Sequence, residues 1–296
     1  MKRKRVISLL LMLLVLLSAA GCVDQHPEQA QTPADTDQPR LIATSPAVAQ
    51  ICYKLDLDLV GICQTASTLP EPYQQLTKVG MPMNPDLEII KSLEPDYILS
   101  PATLKNDLQP KYAGIGEAAM FLNLKSVEGM YASIEGLGKK FHREKEAQQM
   151  LDEFDAYMDS FNETIKDQQP PRVLVLMGLP GSYIVATESS YVGSLVKLAG
   201  GENIYGDGDG QEFLTANTED MKAKEPDIIL RTAHAMPDEV MEMFDKEFKT
   251  NDIWKHFKAV QEGKVYDLDP SIFNMSANFH YPDALDALLE LLYQAQ

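Results

Sequence analysis

Short apolar runs alternate with helical patterns from Leu41 onwards. The apolar runs, each typical of a strand, lie at 41–43, 59–63, 97–99 and 120–122, and the helical spacing lies at 46–55 and 127–137. Strands that alternate with helices pair in parallel and are covered by those helices. This half of the chain therefore predicts a parallel α/β sheet.

The second half of the chain repeats this pattern. Strands are predicted at 173–176, 183–186 and 264–268, with a turn at 178–182 between the first two. Helices are predicted at 191–198, 238–248 and 282–293. Gly200 and Gly201 end the first of these helices, because glycine adopts the left-handed backbone that closes a helix.

One longer amphipathic segment separates the two halves. From about Glu144 to Lys166, apolar residues recur every three or four positions, which is typical of one helix with one buried face. A helix of this length spans roughly 35 Å, enough to join two lobes. A long helix inside a single domain is the alternative that the pattern leaves open.

A phrase that occurs once in each half supports two lobes. Residues 84–99 and 217–230 both start with an asparagine, predicted to cap a short helix, and both continue through Glu-Pro-Asp into an apolar run. Glu88 precedes Pro95 by seven residues, and Glu219 precedes Pro226 by the same interval. Two copies about 130 residues apart indicate two lobes of similar build rather than a short-period array. Two lobes enclose a cleft, which predicts a ligand.

The N-terminus has the pattern of an export signal. Residues 2–5 are basic, residues 6–17 are almost wholly apolar, and small residues precede Cys22. We predict a signal peptide at 1–21, a lipidated Cys22, and a flexible polar tether at 22–40. An ordinary signal peptide that happens to contain a cysteine is the alternative.

The net charge of the chain excludes one class of partner. The chain has 26 basic and 44 acidic residues, a net charge of −18. Loss of residues 1–21, which hold four basic residues and no acidic ones, changes this to −22. So acidic a protein does not neutralise the phosphates of DNA or RNA, and nucleic-acid partners are excluded.

Cys52 and Cys63 lie among apolar residues and are predicted to be core residues rather than a disulfide.

Met83 and His234 are the candidates for ligand chemistry. Met83 lies between Pro82 and Pro85, just before the first repeated helix, and His234 directly follows the second repeated strand. Each would lie at the mouth of its own lobe, where parallel sheets place their sites. A thioether sulfur and an imidazole nitrogen suit haem iron as axial ligands and are a poor set for zinc. A core methionine and a histidine without a ligand role are the alternatives.

Other candidates surround this pair. The turn at Thr44–Ala47 opens a helix whose free N–H groups can receive an anion such as a haem propionate, although simple capping explains it equally well. Thr65, Ala66 and Ser67 follow the next strand and could add donors, and Tyr183 and Arg231 are further pocket candidates. Glu88 and Glu219 either interact with their helix dipoles or form paired docking points for basic residues of another protein.

Five runs of sequence carry a resemblance to a known family: Val79–Asp86, Gly181–Glu188, Leu195–Asn203, Pro226–Pro237 and Asn251–Ala259. Together they resemble the haem-binding lipoproteins of the iron-regulated surface determinant uptake system of Gram-positive bacteria. The resemblance extends from Leu41 to about Leu268.

The resemblance implies a class III substrate-binding protein of the cobalamin/siderophore type, with two Rossmann-like α/β lobes joined by one long helix and a ligand cleft between the lobes. The implied division is a first lobe at 41–143, the helix at 144–167 and a second lobe at 168–296. Met83 and His234 match the axial haem ligands, and Pro46, Ala47, Thr65 and Ala66 match haem-contacting positions. Glu88 and Glu219 match glutamates that engage permease arginines. A Tyr-Lys pair that the family carries in the second contact loop is replaced here by Ala66 and Ser67.

The predicted function is that of a receptor, not an enzyme. It binds haem at the extracytoplasmic face of the cell membrane, anchored by its lipid, and delivers haem to an ABC permease and its ATPase. Cell-wall haem proteins are the implied donors, and the joining helix predicts limited closure of the lobes. A siderophore or cobalamin receptor is the alternative within the class. A haem- or metal-dependent enzyme is the alternative from another class.

Overall fold

The computed structural model of the chain describes residues 38–294. The predicted signal peptide at 1–21, the lipidation site Cys22 and most of the tether at 22–40 lie outside these residues. Among the described residues, no helix is both long enough and apolar enough to cross a membrane.

Two sheets form the framework, and the α/β fold is confirmed. The strands are β1 Leu41–Ala43, β2 Leu59–Ile62, β3 Thr77–Lys78, β4 Gly80–Met81, β5 Asn84–Pro85, β6 Tyr97–Pro101, β7 Ala119–Leu122, β8 Arg172–Leu179, β9 Ser182–Ala186, β10 Glu202–Asn203, β11 Phe213–Thr215, β12 Ile228–Ala233 and β13 Val265–Asp267. The helices are α1 Pro46–Lys54, α2 Leu87–Ser92, α3 Lys105–Gly114, α4 Val127–Phe141, α5 Glu144–Ile165, α6 Tyr191–Leu198, α7 Thr218–Ala223, α8 Pro237–Thr250, α9 Lys258–Gln261 and α10 Tyr281–Leu289.

The first sheet is parallel throughout, in the order β3-β2-β1-β6-β7, as the pattern predicted. The second sheet is mixed, in the order β11-β9-β8-β12-β13, with β10 also paired to β8. In this sheet β9 pairs antiparallel with both β8 and β11. The turn at Pro180–Gly181 forces this direction, because a parallel partner requires a long crossover.

The chain passes from the first sheet to the second through α4 and α5. Helix α5 buries Ala147, Met150 and Phe161 on the stripe that the sequence predicted. Phe154 on this helix stacks on Tyr131 of α4, with ring centroids 4.3 Å apart, and meets Tyr281 of α10 at 5.8 Å. Helix α5 therefore packs against helices from both halves of the chain.

The repeated phrase extends to its backbone and its long-range contacts. In both copies the residue before the proline, Glu94 or Glu225, has a φ of +46°. The N–H of the residue that opens the adjoining strand segment, Arg40 or Arg172, donates to the aspartate after that proline, at 2.7 and 3.0 Å respectively. The guanidinium group of each arginine also donates to the carbonyl of the residue that caps the C-terminus of the repeated helix. These carbonyls are Leu93 after α2 and Lys224 after α7, and both distances are 2.7 Å. The same arrangement thus secures α2 and α7 to their sheets.

One cap differs from the prediction. Asn217 caps α7 as expected, accepting from Glu219 N–H and Asp220 N–H. The cap of α2 is Asp86 rather than Asn84, and it accepts from Glu88 N–H and Ile89 N–H at 3.1 Å. Asn84 is instead paired with Met81 in the β4–β5 hairpin. Asp86 and Asn217 stand at the same distance before their glutamates, so the repeat is more regular than the asparagines alone indicated.

Both cysteines are free and buried, as predicted. Burial raises the pKa of the Cys52 thiol to about 12 and that of Cys63 to about 11. Because the thiolate is the reactive form, neither should react with a thiol reagent while the protein is folded. In a chain lacking residues 1–38, we expect no thiol to be titrated under native conditions and two in denaturant. Rapid native labelling of either cysteine would contradict this.

A close backbone approach makes Gly193 essential to the second half. A Cβ atom at this position of α6 would lie 1.8 Å from the carbonyl oxygen of Thr187. We expect Gly193→Ala to lower the free energy of unfolding by about 3 kcal/mol, because backbone cannot move aside as a side chain can. Gly136 on α4 has open space at the same position and should gain up to about 1 kcal/mol as alanine, from helix propensity. Urea unfolding of both variants tests this, and equal stabilities would contradict it.

Candidate functional site

The loops that follow the strands of the first sheet carry most of the predicted site residues. Pro46 and Ala47 follow β1, and Thr65 and Ala66 follow β2. Because β1, β2 and β3 are parallel neighbours, the segments after them lie at the same edge of the sheet. We call this edge the first carboxyl edge.

At the start of α1 the hydroxyl groups serve the fold. Thr44 is buried and donates to the carbonyl of Leu99 at 3.1 Å, with a further hydrogen bond to Ser100. The Ser45 side chain caps the helix by accepting from Val48 N–H at 3.3 Å. Capping is thus the role that the contacts establish for this turn. Pro46 and Ala47 remain half-buried at the first turn of the helix.

The second contact loop has its own local bond. The Thr65 hydroxyl oxygen accepts from Ser67 N–H at 3.0 Å, which fixes the turn that presents Ala66 to solvent. The N–H of the preceding residue, Gln64, donates to the carbonyl of Gly80 at 2.7 Å. This bond ties the loop after β2 to the β4–β5 hairpin.

Met83 lies at the tip of that hairpin, which the sequence predicted only as a stiff loop. Gly80 has a φ of +89°, and a Cβ atom there would lie 2.8 Å from Asp86 N. The ladder between Met81 and Asn84 leaves Pro82 and Met83 as the two-residue turn. The Met83 side chain is 68% exposed. The hairpin thus presents a thioether to solvent at the first carboxyl edge.

His234 occupies the matching position in the second half. It directly follows β12, and its N–H donates to the carbonyl of Gly178 on β8 at 3.1 Å. The side chain is exposed, while Thr232 and Ala233 before it are buried. We call this edge of the second sheet, where β8, β12 and β13 end, the second carboxyl edge.

The loop at 268–280 connects the two edges. It follows β13, and the carbonyl of its Phe273 accepts from the Thr232 hydroxyl at 3.0 Å. Further along, Ala277 N–H donates to the carbonyl of Leu124, just beyond β7, at 2.8 Å. An ion pair of 2.8 Å between Lys125 and Glu212 adds a second link between the two halves. The segments that follow the strands of the two sheets therefore meet through this loop.

Two of the weaker candidates are engaged elsewhere. Arg231 is buried, donates from Nε and Nη2 to Asp267 at 2.6 and 2.8 Å, and lies against the rings of Phe244 and Phe248. It is therefore a structural residue and not the pocket residue predicted. Asp245 supplies a further partner at 3.2 Å.

Tyr183 lines a pocket of about 450 Å³ within the second half, together with Lys246 and Glu247. Its hydroxyl donates to the Glu247 carboxylate at 3.1 Å. Burial acts to raise the pKa of Glu247, but hydrogen bonds from Asn251, Trp254 and Tyr183 outweigh it and lower that pKa. None of the predicted haem-contacting residues lines this pocket.

Glu88 and Glu219 lie two residues after their helix caps and are both exposed. Among residues 38–294 neither carboxylate forms an ion pair. Each helix begins on the carboxyl-edge side of its sheet, because each leads directly into the start of the next parallel strand. Both glutamates are therefore available to a partner, each at the carboxyl edge of its own sheet, the edge that carries Met83 in the first sheet and His234 in the second.

Two further exposed methionines, which the sequence analysis did not single out, lie close in sequence to the predicted ligands. Met81 is 62% exposed and Met236 is 51% exposed, each two residues from a predicted axial ligand. Their proximity to Met83 and His234 in the sequence was the available signal. In the described part of the chain, no three His, Cys, Asp or Glu side chains cluster in a way that could hold a metal ion.

Comparison with known proteins adds to this geometry. The sequence profile of the periplasmic binding protein family matches residues 41–272. The high-affinity heme uptake system protein IsdE of Staphylococcus aureus strain Newman is 43% identical over 256 residues, which cover 86% of this chain and 87% of that protein.

Two solved structures are similar throughout. An ABC transporter substrate-binding protein from Listeria monocytogenes EGD-e has a TM-score of 0.83 and 47% identity, covering 87% of this chain and 99% of its own. S. aureus IsdE complexed with heme has a TM-score of 0.81 and 42% identity, covering 86% and 99%. Almost the whole of each solved chain is matched, which indicates that the compact unit from Pro39 onwards folds on its own. The class III architecture is confirmed, and these relatives are substrate-binding transport proteins rather than enzymes.

Proposed function

This chain belongs to the periplasmic binding protein family, and we propose from this premise that it is the haem receptor of an ABC importer. It captures haem outside the cell membrane, where a lipid on Cys22 anchors it, and delivers the haem to a permease driven by its ATPase. Cell-wall haem proteins are the donors. The proposed units are a signal peptide at 1–21, a tether at 22–40, lobes at 41–143 and 168–296, and the joining helix at 144–167.

The observation that carries this proposal is the exposure of thioether side chains at the two carboxyl edges. Methionine is an apolar residue that normally fills cores, yet Met83 is more than two-thirds exposed on a rigid hairpin. An apolar macrocycle with an iron centre would contact this side chain and accept its sulfur as a ligand. The similarity to a haem uptake protein and to its heme complex supports the same ligand.

Met83 and His234 are the proposed axial ligands, one from each half of the chain. A thioether and a neutral imidazole complete a six-coordinate iron and favour the reduced state relative to two imidazoles. The set is poor for zinc, which takes histidine, cysteine and carboxylate ligands.

The haem propionates are proposed to lie near Pro46, Ala47, Thr65 and Ala66. At the start of α1 the Ala47 N–H has no hydrogen-bond partner among residues 38–294, and the helix dipole is positive there. A propionate carboxylate would therefore meet this backbone donor at the first carboxyl edge. This chain would thus use main-chain groups where the family pattern has a Tyr-Lys pair.

The test is a haem titration of the chain lacking residues 1–38. We expect one equivalent of haem to bind, with a shifted Soret band and the visible bands of low-spin, six-coordinate iron. Cyanocobalamin and a ferric siderophore serve as controls and should not compete. Saturable binding of either control together with no Soret shift would replace the proposal by the siderophore or cobalamin alternative.

A further inference from the structure

Large apolar side chains are exposed at very few places between residues 38 and 294. The strongly exposed ones are Tyr53, Met81, Met83 and Met236. Three of these four are methionines at the carboxyl edges, whereas Met130, Met177 and Met221 are buried in the core. Met81 stands two residues before Met83, and Met236 stands two residues after His234. Each proposed ligand therefore has an exposed methionine two residues away in the sequence.

Met81 is held out by the hairpin that carries Met83. Its strand pairs with β5 through Asn84, and the hairpin is bonded at its base by Asp86 N–H to the carbonyl of Val79 at 2.8 Å. Val79 is fully buried, so the hairpin has a firm attachment to the core of the first half. Exposure of Met81 is thus a feature of an ordered segment and not of a loose loop.

Met236 departs from what is usual for methionine in its exposure, its backbone conformation and its position at a helix cap. It is half exposed, and its backbone is left-handed, with φ +49° and ψ +58°. A Cβ atom disfavours this region, which glycine or asparagine normally occupies. The residue also stands at the N-cap of α8 without offering a capping oxygen. Departures from local rules concentrate at functional sites.

Resting on the proposed function, we propose that Met81 and Met236 are haem-contacting residues that cover the porphyrin beside the axial ligands, one from each half. Thioether side chains are polarizable and flexible, and they pack well on aromatic rings. Covering the ring would remove their exposed apolar surface from water and would also keep water from the iron. The face of the porphyrin is uncharged, so the acidic character of the chain does not oppose this contact.

Oxidation by peroxide reports the contact directly, because an exposed methionine forms the sulfoxide and a covered one does not. The chain lacking residues 1–38 is treated with dilute hydrogen peroxide with and without gallium(III) protoporphyrin IX, which does not turn over peroxide. Mass spectrometry should show sulfoxide formation at Met81 and Met236 slowed at least about fivefold by the porphyrin. Met130 and Met221 should stay unoxidised in both samples. Unchanged oxidation of Met81 and Met236 in a sample where Met83 is protected would overturn the proposal.

Variants separate covering from folding. Met81→Ser and Met236→Ser should each raise the rate of haem transfer to apomyoglobin about tenfold, whereas Met81→Leu and Met236→Leu should stay near wild type. Tyr53→Ser removes an equally exposed apolar residue from α1 and is the matched control. All of these variants should keep the six-coordinate spectrum. Wild-type transfer rates in both serine variants would defeat this inference while leaving the proposed function intact, whereas failure of the unaltered chain to bind haem would defeat the proposed function itself.

Discussion

Met83→Leu is expected to turn a low-spin, six-coordinate haem complex into one with a weakly held or missing sixth ligand. Leucine nearly matches the volume of methionine but has no sulfur, so the change isolates the iron–sulfur bond. The Soret band should broaden and shift, a high-spin charge-transfer band should appear, and the affinity should fall roughly tenfold. Absorption and magnetic circular dichroism of the reconstituted variant measure these changes.

His234→Ala removes the stronger ligand, and the affinity should fall roughly 100-fold. Imidazole added to this variant should fill the vacant position and restore the low-spin spectrum. His256→Ala is the matched control, because His256 is also exposed but belongs to the turn at Trp254–His256, away from both carboxyl edges. Met81→Leu is the corresponding control for sulfur loss. Wild-type spectra in both Met83→Leu and His234→Ala would remove the axial assignment and with it the proposed joint site.

Loss of both docking glutamates is expected to slow haem transport strongly without changing haem binding. Glu88→Ala with Glu219→Ala removes two exposed carboxylates that a basic permease surface would contact. Truncating one member of a charge pair at an interface costs about 2–5 kcal/mol, so haem uptake should fall at least about tenfold. Each single variant should show a smaller loss, and this loss should shrink as ionic strength rises, because salt screens the same charge interaction in the wild type. Growth of a receptor-deficient strain on haem as the iron source, together with haem titration of the purified variants, makes the measurement.

The control removes the same charge from another surface. Asp155 and Asp159 are exposed on α5, and their double alanine variant changes the net charge by the same amount. If that variant lost uptake equally, the effect would belong to total charge and not to docking. Normal uptake by the Glu88 and Glu219 variant would leave these two residues with only their favourable position in the helix dipole.

Much of the framework could be predicted because it follows from local patterns. Helix α5 was identified from its apolar stripe, and α6 matched its predicted bounds because glycines follow it directly. The parallel first sheet followed from the alternation of strands and helices. The positions of Met83 in a loop before a helix and of His234 directly after a strand were also predictable, since both residues flank the repeated phrase.

What could not be predicted depends on distant contacts or on weak patterns. Helix α3 has a Pro110 inside it and buries only Leu108 and Tyr112, so its sequence has no clear apolar face. The bond from Arg40 to Asp96 spans 56 residues, and nothing local marks it. Arg231 was predicted to be a pocket residue, but its guanidinium group makes three hydrogen bonds to carboxylates that the local sequence does not mark. The left-handed backbone of Met236 is likewise not marked by the residue type, since methionine rarely adopts it.

The rings around α5 bear on how fast a guest can leave. Tyr131 and Tyr281 lie 150 residues apart in the sequence, yet their hydroxyl oxygens are 3.3 Å apart and both rings pack on Phe154. Separation of the two halves of the chain would break these aromatic contacts, so we expect the halves to separate widely only rarely. The rate of haem release would then depend on brief movements of the loop at 268–280, since loops move in nanoseconds to microseconds. Such a receptor would release haem past the loop beside the site, while the aromatic contacts around α5 stay intact.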